Sequence, residues 1–441
     1  MAQRSSITLT QPILPMTASK GELFPDALQA QIKARFLHVD HDITGRERLF
    51  FDNAGGSFRL KAAVEQFARI DAVPDNPERI HETAVFLQQV QAKGTQDLRT
   101  VLNAEGGSVY AALTASGAMF DMVRAIAENV AGSNMVTTVL EHPSSFDAMQ
   151  LYAQRTGREL RVAPSNPVTG GIDVDAICRL VDADTALLSV IYASNISGAK
   201  LDIAEIVRRA RAIKPDLYIV VDAVQHAPHG LIDLAKTPVD GINIAPYKFF
   251  GCRGSGLAWL SDRAALLPHH KLAAKKPDFW DLGSAAPWQF AVMSEIVDYV
   301  AWLGAQSGAA GDRRALFVRG IEKIELHERA LLHRLLEGSA SAPGLRRQRG
   351  VQVFLDHEDL SRRDLILAIG IAGLEHAQAV REYEQRGVVV YERVATSLYS
   401  KRMLESFGLA GAVRVSPLHC HGTADVDRFL RTTQEIAAAF A

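Results

Sequence analysis

A lysine, a carboxylate and further polar side chains stand at the ends of short apolar runs in this chain. Lys248 follows the run 241–245, and Asp222 directly follows the run 217–221. In an open α/β sheet, ligands bind outside the carboxyl ends of the strands, so side chains at these ends should meet in one site. Other polar residues that follow apolar runs are Glu141, His142, Asn195 and Gln225.

The combination of Lys248 and Asp222 fits the chemistry of pyridoxal 5'-phosphate. This cofactor forms a Schiff base with a lysine, and an aspartate keeps its pyridine nitrogen protonated so that the ring accepts electrons. Lys248 lies 26 residues after Asp222, enough chain for one crossover between neighbouring strands. Asp222 stands at the end of a strongly apolar strand, where the charge of its carboxylate needs a cationic partner. The pyridinium would be that partner.

A turn of small residues at 113–119 offers a place for the cofactor's phosphate. It joins a strand-like run at 109–113 to a helical pattern that continues to residue 130. Small residues let backbone N–H groups approach an anion at a helix N-terminus, with Thr114 and Ser116 as hydroxyl donors. The residues we expect around the phosphate are Ser116, Gly117, Ala118 and Met119.

A second glycine-rich stretch, at 251–256, does not indicate a dinucleotide site. Its glycine spacing is the reverse of the G-x-G-x-x-G fingerprint, and it precedes a strand-like run at 257–260 rather than a helix. This disfavours an unrelated α/β enzyme of the dehydrogenase type.

The elements that must position these residues alternate between strand and helix. Apolar runs at 135–140, 186–192, 217–221 and 241–245 indicate strands, and residues 203–213 show helical periodicity. We therefore predict an α/β fold with a mostly parallel sheet flanked by helices. The expected divisions are an N-terminal arm at 1–45, a large cofactor-binding domain at 46–290, and a smaller α+β domain at 291–441 that ends in a helix at 423–440.

Composition excludes several classes of protein. The 441 residues carry 48 Lys and Arg against 50 Asp and Glu, a net charge of −2, so nucleic-acid and membrane partners have little electrostatic support. The three cysteines show no CxxC spacing, which argues against a disulfide framework and against a metal site. Residues 1–19 show neither a signal peptide nor a spanning helix, so we expect a cytoplasmic protein.

Taken together, these motifs resemble the class V aminotransferases, pyridoxal-phosphate enzymes of fold type I. The resemblance is strongest to the branch of cysteine desulfurases, selenocysteine lyases and isopenicillin N epimerase-like proteins. It extends from the segment FDNAGG at 51–56 to the C-terminal helix, and its most specific block runs from DAVQ at 222–225 to Tyr247 and Lys248.

The resemblance implies a role for each matching residue. Lys248 would carry the cofactor as an internal aldimine, Asp222 would hold the pyridine nitrogen, and His142 would stack on the ring. Arg414 would bind the substrate carboxylate, and Ser284 would reach the phosphate of a neighbouring subunit, which implies a homodimer with shared active sites. Residues implied in contacts with the cofactor or the substrate are Asn195, Gln225 and Tyr247, together with Asn53, Ala54 and Gly55.

Departures from the family pattern bear on the reaction. Relatives carry Ser-x-His-Lys where this chain has APYK at 245–248, so Tyr247 replaces the histidine as a hydrogen-bond donor to phosphate. Desulfurases present a nucleophilic cysteine on the segment that corresponds to 390–399, and this segment contains none.

We therefore expect an enzyme that acts at Cα of a small amino acid, as a carbon–sulfur β-elimination lyase without a persulfide cysteine. Alternatives are an aminotransferase or an epimerase of a small amino acid. A protein that binds the cofactor as a catalytically silent sensor is the alternative outside the enzymes.

Overall fold

The computed structural model describes residues 20–306, 308 and 310–440. Its main element is a seven-stranded sheet in the spatial order β2-β8-β7-β6-β5-β3-β4. Strand β8 pairs antiparallel with both neighbours, and the other adjacent pairs are parallel. The strands are β1 (Leu49–Phe50), β2 (Ser108–Ala112), β3 (Asn134–Thr138), β4 (Glu159–Ala163), β5 (Thr185–Ile191), β6 (Tyr218–Asp222), β7 (Gly241–Ile244), β8 (Gly256–Leu260), β9 (Val351–Phe354), β10 (Leu367–Ile371), β11 (Val388–Val389), β12 (Tyr391–Val394) and β13 (Gly411–Val415).

Thirteen α-helices lie within the described residues, and several of them cover the two faces of this sheet. They are α1 (Asp26–Ala34), α2 (Lys61–Asp71), α3 (Glu82–Leu102), α4 (Ala115–Asn129), α5 (Pro143–Arg155), α6 (Val174–Cys178), α7 (Ile203–Ile213), α8 (Asp262–Ala265), α9 (Pro287–Ala305), α10 (Arg313–Glu337), α11 (His376–Gln385), α12 (Lys401–Ser406) and α13 (Thr423–Phe440).

The central strands are buried on both faces, which explains why they read as continuous apolar runs. Along β5, Leu187 packs with α4 and α5 on one side, and its neighbour Leu188 packs with α7 on the other. The four predicted runs form β3, β5, β6 and β7, each shifted by two residues or fewer at its start. The prediction of an α/β fold with a mostly parallel sheet is confirmed.

A second, smaller core surrounds the antiparallel sheet β12-β13-β10-β9. The change from one core to the other falls inside α10. Phe317 and Ile321 pack in the core of the large sheet, whereas Leu331 and Leu335 pack in the second core. The transition between the two cores therefore lies after residue 290, the predicted domain boundary. Helix α9, which begins at about that boundary, still packs against α2 and α3.

The predicted N-terminal arm also packs on the large sheet's core, through Phe24, Ile32 and Phe36. Its residues 1–19 lie outside the described part. Strand β1 pairs in parallel with β11, so this end of the chain joins the two cores. Within the described residues, no helix is both long enough and apolar enough to span a membrane.

Candidate active site

A cavity of about 260 Å³ opens at the carboxyl ends of β3, β5, β6 and β7. It brings together residues that are far apart in sequence, as the strand-end argument predicts. The lining residues are Leu113, Thr114, Ala115, Ser116, His142, Ser144, Ile191, Asn195, Asp222, Val224, Gln225, Ala245, Tyr247, Lys248, Arg253, Gly254 and Ser255.

Lys248 ends a short 3-10 turn, Pro246–Lys248, that follows β7. Its side chain is buried, and Nζ donates a hydrogen bond to Oε1 of Gln225 at 3.2 Å. Burial is the main cause that lowers the pKa of Lys248 to about 8, and the positive charge of Arg414 adds to it. About a tenth of this amine is therefore neutral at pH 7, far more than for an ordinary lysine.

Asp222 is the last residue of β6 and is 2% exposed. Its Oδ1 accepts a hydrogen bond from the Val224 amide at 3.0 Å. Burial raises the pKa of Asp222, against the opposing effects of that hydrogen bond and of the Lys248 charge. A carboxylate in this position is stabilised by any cation that enters the cavity.

His142 caps the N-terminus of α5, just beyond β3. Its Nδ1 accepts a hydrogen bond from the Ser144 amide at 3.2 Å. Burial, and next the charge of Lys248, lower the pKa of His142 to about 3. The ring is thus neutral at physiological pH, and because Nδ1 is an acceptor, the proton lies on Nε2.

The N-terminus of α4 forms another wall of the cavity. Thr114 caps this helix, since its Oγ1 accepts from the Gly117 amide at 3.0 Å, and its carbonyl accepts from the Ala118 amide. Ser116 lines the cavity. The side chains of Ala118 and Met119 lie instead in the core beneath α4 and do not line it.

Two cavity residues missed by sequence reasoning, Arg253 and Ser255, lie in the glycine turn after Lys248. The guanidinium carbon of Arg253 lies 4.4 Å from the centroid of the Tyr247 ring. Ser255 Oγ is buried without a hydrogen-bond partner among the described residues. The signal was available in the sequence, because a turn directly after a site lysine stays close to the site.

Asn195 follows β5, and its Oδ1 is likewise buried without a partner in the described part of the chain. Its carbonyl accepts a hydrogen bond from Nη1 of Arg414 at 3.2 Å. Arg414 lies on β13, is 3% exposed, and its Nη2 forms an ion pair with Asp52 at 2.6 Å. The small sheet therefore places a buried guanidinium directly behind the cavity.

The segment after β1 runs beside the same arginine. A Cβ at Gly55 would lie 3.2 Å from Nη2 of Arg414, so this glycine is next to the cation. Asn53 is buried, and its side-chain amide donates to the carbonyl of Ser416 at 3.2 Å. The Ala54 amide donates to the Ser416 hydroxyl at 3.1 Å. Asn53 and Ala54 thus link this segment to the end of β13.

Glu141, next to His142, is a fully buried carboxyl. Its Oε1 accepts from the Thr138 hydroxyl at 2.8 Å and from the Ile191 amide at 2.7 Å. Burial raises the pKa of Glu141 to about 8, and the nearby charge of Asp222 also raises it. This side chain is mostly protonated at pH 7 and does not line the cavity.

Ser284 is exposed and is not brought to the cavity of its own chain. None of the three cysteines lines it either. Cys178 and Cys420 are buried, and Sγ of the half-buried Cys252 donates to the Ala63 carbonyl at 3.7 Å. Burial raises the pKa of all three thiols.

Comparison with known proteins agrees with this architecture. A cysteine desulfurase from Cronobacter sakazakii is 23% identical over 429 residues, covering 91% of this chain and 96% of the relative. The apo structure of a cysteine desulfurase from Thermococcus onnurineus superimposes with a TM-score of 0.76, at 17% identity, over 89% of this chain and 95% of that one. A cysteine desulfurase from Escherichia coli gives 0.73 at 18% identity, over 95% of this chain and all of the other.

These structures confirm the predicted fold, that of fold type I enzymes. The sequence profile described as aminotransferase class-V matches residues 49–429, which include β1, the whole large sheet and the beginning of α13. Because that match covers most of the chain, the protein belongs to the class-V aminotransferase family of enzymes, as its motifs predicted.

Proposed function

We propose that this protein is a pyridoxal-phosphate enzyme that acts at Cα of a small amino acid and cleaves a carbon–sulfur bond at Cβ. One observation carries the proposal. Lys248 and Asp222 line the same buried cavity, and a helix N-terminus closes another side of it. The matches to cysteine desulfurases support this type of chemistry.

The cavity fits the cofactor in charge and in hydrogen-bonding capacity. Asp222 would hold the pyridine nitrogen, since a buried carboxylate with a raised pKa needs a cation. The phosphate would lie at Thr114 and Ser116, with Arg253 supplying positive charge. The buried Ser255 hydroxyl, which lacks a partner among the described residues, also lines the cavity.

When bound, the cofactor supplies an electron-withdrawing ring that stabilises negative charge at Cα. Lys248 would bind its aldehyde and, once released, take the Cα proton at Nζ. A pKa of about 8 suits this task, because a catalytic base works best with a pKa near the operating pH. Gln225 holds the amine in place, and the neutral His142 ring covers the cavity without adding a charge.

Support for elimination without an enzyme-bound persulfide comes from the positions of the thiols. The cavity lining contains no cysteine in the described part of the chain. The segment 390–399 ends in Leu398, which is 90% exposed, and Tyr399, whose ring lies 6.5 Å from that of His142. In the proposed reaction the carbon–sulfur bond breaks and its electron pair goes to sulfur. The sulfur is then released as a product without first binding to a protein thiol.

We further propose a homodimer in which Ser284 contributes to the site of a second copy. Ser284 is exposed, and Leu282 beside it is 69% exposed. Leu113, at the cavity wall, is 80% exposed. Large exposed apolar side chains near a site favour an interface there.

Product analysis of the cofactor-loaded protein tests the reaction. A panel of small amino acids is incubated with and without a keto acid. We expect pyruvate, ammonia and a sulfur product from a cysteine-type substrate, with no need for the keto acid. Consumption of the keto acid would identify an aminotransferase, and inversion at Cα an epimerase. A protein that binds the cofactor and converts none of these compounds would refute the proposal in favour of a sensor.

A further inference from the structure

Arg393 is a buried cation for which the described residues supply no ion-pair partner. Of the arginines in the described residues, Arg363, Arg393 and Arg414 are buried. Arg363 has a carboxylate at 3.9 Å, and Arg414 has Asp52 at 2.6 Å. Arg393 is 6% exposed and forms no ion pair with a described carboxylate, and Asp52 acts on its charge only at longer range. Its Nη2 donates to the Tyr399 carbonyl at 3.2 Å, and its Nε is buried without a partner.

The small sheet places this guanidinium beside that of Arg414. Strands β12 and β13 pair antiparallel, with Tyr391 opposite Arg414 and Arg393 opposite Ala412. Since side chains alternate along a strand, Tyr391, Arg393 and Arg414 share one face. The Tyr391 ring centroid lies 5.3 Å from the guanidinium carbon of Arg414 and 6.0 Å from that of Arg393. Two cations therefore flank one aromatic ring.

This face lies near the proposed reaction centre, because Arg393 donates to the Tyr399 carbonyl and the Tyr399 ring lies 6.5 Å from that of the cavity residue His142. Burial is the main cause that lowers the pKa of Lys248, and the charges of Arg414 and Arg393 lower it further. The charges of Lys248 and Arg393 act in the same direction on His142, again after burial. Burial lowers the pKa of Arg393 itself to about 10, so its guanidinium remains charged at neutral pH.

A purely structural role accounts poorly for a cation here. A neutral donor would satisfy the Tyr399 carbonyl equally well. The segment 394–400, which contains Tyr399, also has its own backbone hydrogen bonds. The Ser397 amide donates to the Val394 carbonyl and the Ser400 amide to the Ser397 carbonyl, both at 3.0 Å. Burying an unpaired charge is costly, and an anion brought by a ligand would offset that cost.

We propose that Arg393 binds a second carboxylate of the substrate, in its side chain, while Arg414 binds the α-carboxylate. The substrate class is then a cysteine-type amino acid whose sulfur substituent carries a carboxylate. This inference rests on the proposed function, in which an amino acid reacts at Lys248. A planar guanidinium with several donors suits carboxylate recognition.

Binding of succinate and of its neutral analogue succinamate to the cofactor-loaded protein tests the inference, because neither compound can react. We expect calorimetry to show that the wild type prefers succinate by about 10- to 100-fold, the range of one charge-assisted hydrogen bond. Arg393→Gln should lose this preference, and Arg393→Lys should retain part of it. Arg431→Gln, at an exposed arginine of α13, serves as the matched control and should keep it.

Equal affinities in the wild type, or a preference that survives in a folded Arg393→Gln variant, would overturn the inference. A parallel product assay with S-carboxymethyl-L-cysteine and its neutral amide, S-carbamoylmethyl-L-cysteine, separates it from the proposed function. If succinate is preferred but neither compound yields pyruvate, the proposed reaction fails and the recognition stands. If the amide reacts as well as the carboxylate, the reaction stands and the recognition fails.

Discussion

The substitution Asp222→Asn should have opposite effects on the stability of the cofactor-free protein and on the turnover of the cofactor-loaded protein. The asparagine Oδ1 can still accept from the Val224 amide, so the local geometry of the end of β6 should persist. A carboxyl whose pKa is raised by folding makes the protein less stable as the pH rises through that pKa. The cofactor-free variant should therefore be at least as stable as the wild type at pH 7.

The cofactor-loaded variant should behave in the opposite way. Removing one partner of a buried charge pair costs about 3 to 5 kcal/mol. Asp222 is 2% exposed, so solvent screens the pair little. At about 1.4 kcal/mol per factor of ten, the loss in turnover is roughly 150- to 5,000-fold if it falls on the transition state.

Thermal melting of the cofactor-free protein and turnover of the loaded protein measure the two effects. Glu141→Gln is the matched control, because Glu141 is another buried carboxyl nearby whose pKa of about 8 leaves it mostly neutral at pH 7. That variant should keep turnover within a few-fold of the wild type. Near-normal turnover of Asp222→Asn in a fully loaded protein would refute the assigned role of Asp222.

Further predictions concern attachment, thiols, subunits and pH. Borohydride reduction of the loaded protein followed by peptide mapping should place the cofactor on Lys248; a label on another lysine would contradict the site. Replacing all three cysteines by alanine or serine should leave turnover largely intact, whereas a trapped persulfide together with an inactive variant that still binds the cofactor would restore the desulfurase mechanism. Mixing Lys248→Ala chains with chains altered at Ser284 should restore some sites of full cofactor affinity, and no gain in affinity would argue against a shared site. Between about pH 5 and 8, the wild type should lose stability relative to Glu141→Gln, because the folded state keeps the Glu141 proton that the unfolded state releases; parallel melting curves of the two proteins across this range would show the reasoning to be wrong.

Sequence reasoning was effective where a strand is buried on both faces. The residues after β3, β5, β6 and β7 could be located because each run is mostly apolar and is followed within a few residues by a polar side chain. Asp222, Asn195 and Lys248 meet in one cavity for that reason.

Contacts between distant segments were not predictable in the same way. Asp52 and Arg414 are 362 residues apart, and nothing local in the sequence pairs them. Met119 was expected near the phosphate, but Thr114 starts α4 so that Met119 falls on its inner face. The pKa values of Glu141 and Arg393 are shifted mainly by burial. That burial comes from segments distant in sequence, so the neighbouring residues do not reveal it.

The antiparallel position of β8 has a consequence for synthesis of the chain. Strand β2 pairs with β8, and a Cβ at Gly256 would lie only 2.2 Å from the Ala115 nitrogen, so β8 supports the turn at the start of α4. These partners are separated by about 140 residues, which take roughly 10 to 30 s to translate. During that interval β2 lacks its partner strand, and the end of the cavity proposed to bind the phosphate is incomplete. Capture of a phosphate-bearing cofactor must therefore follow translation of the large sheet's last strand, so it can stabilise the nascent chain only late in synthesis.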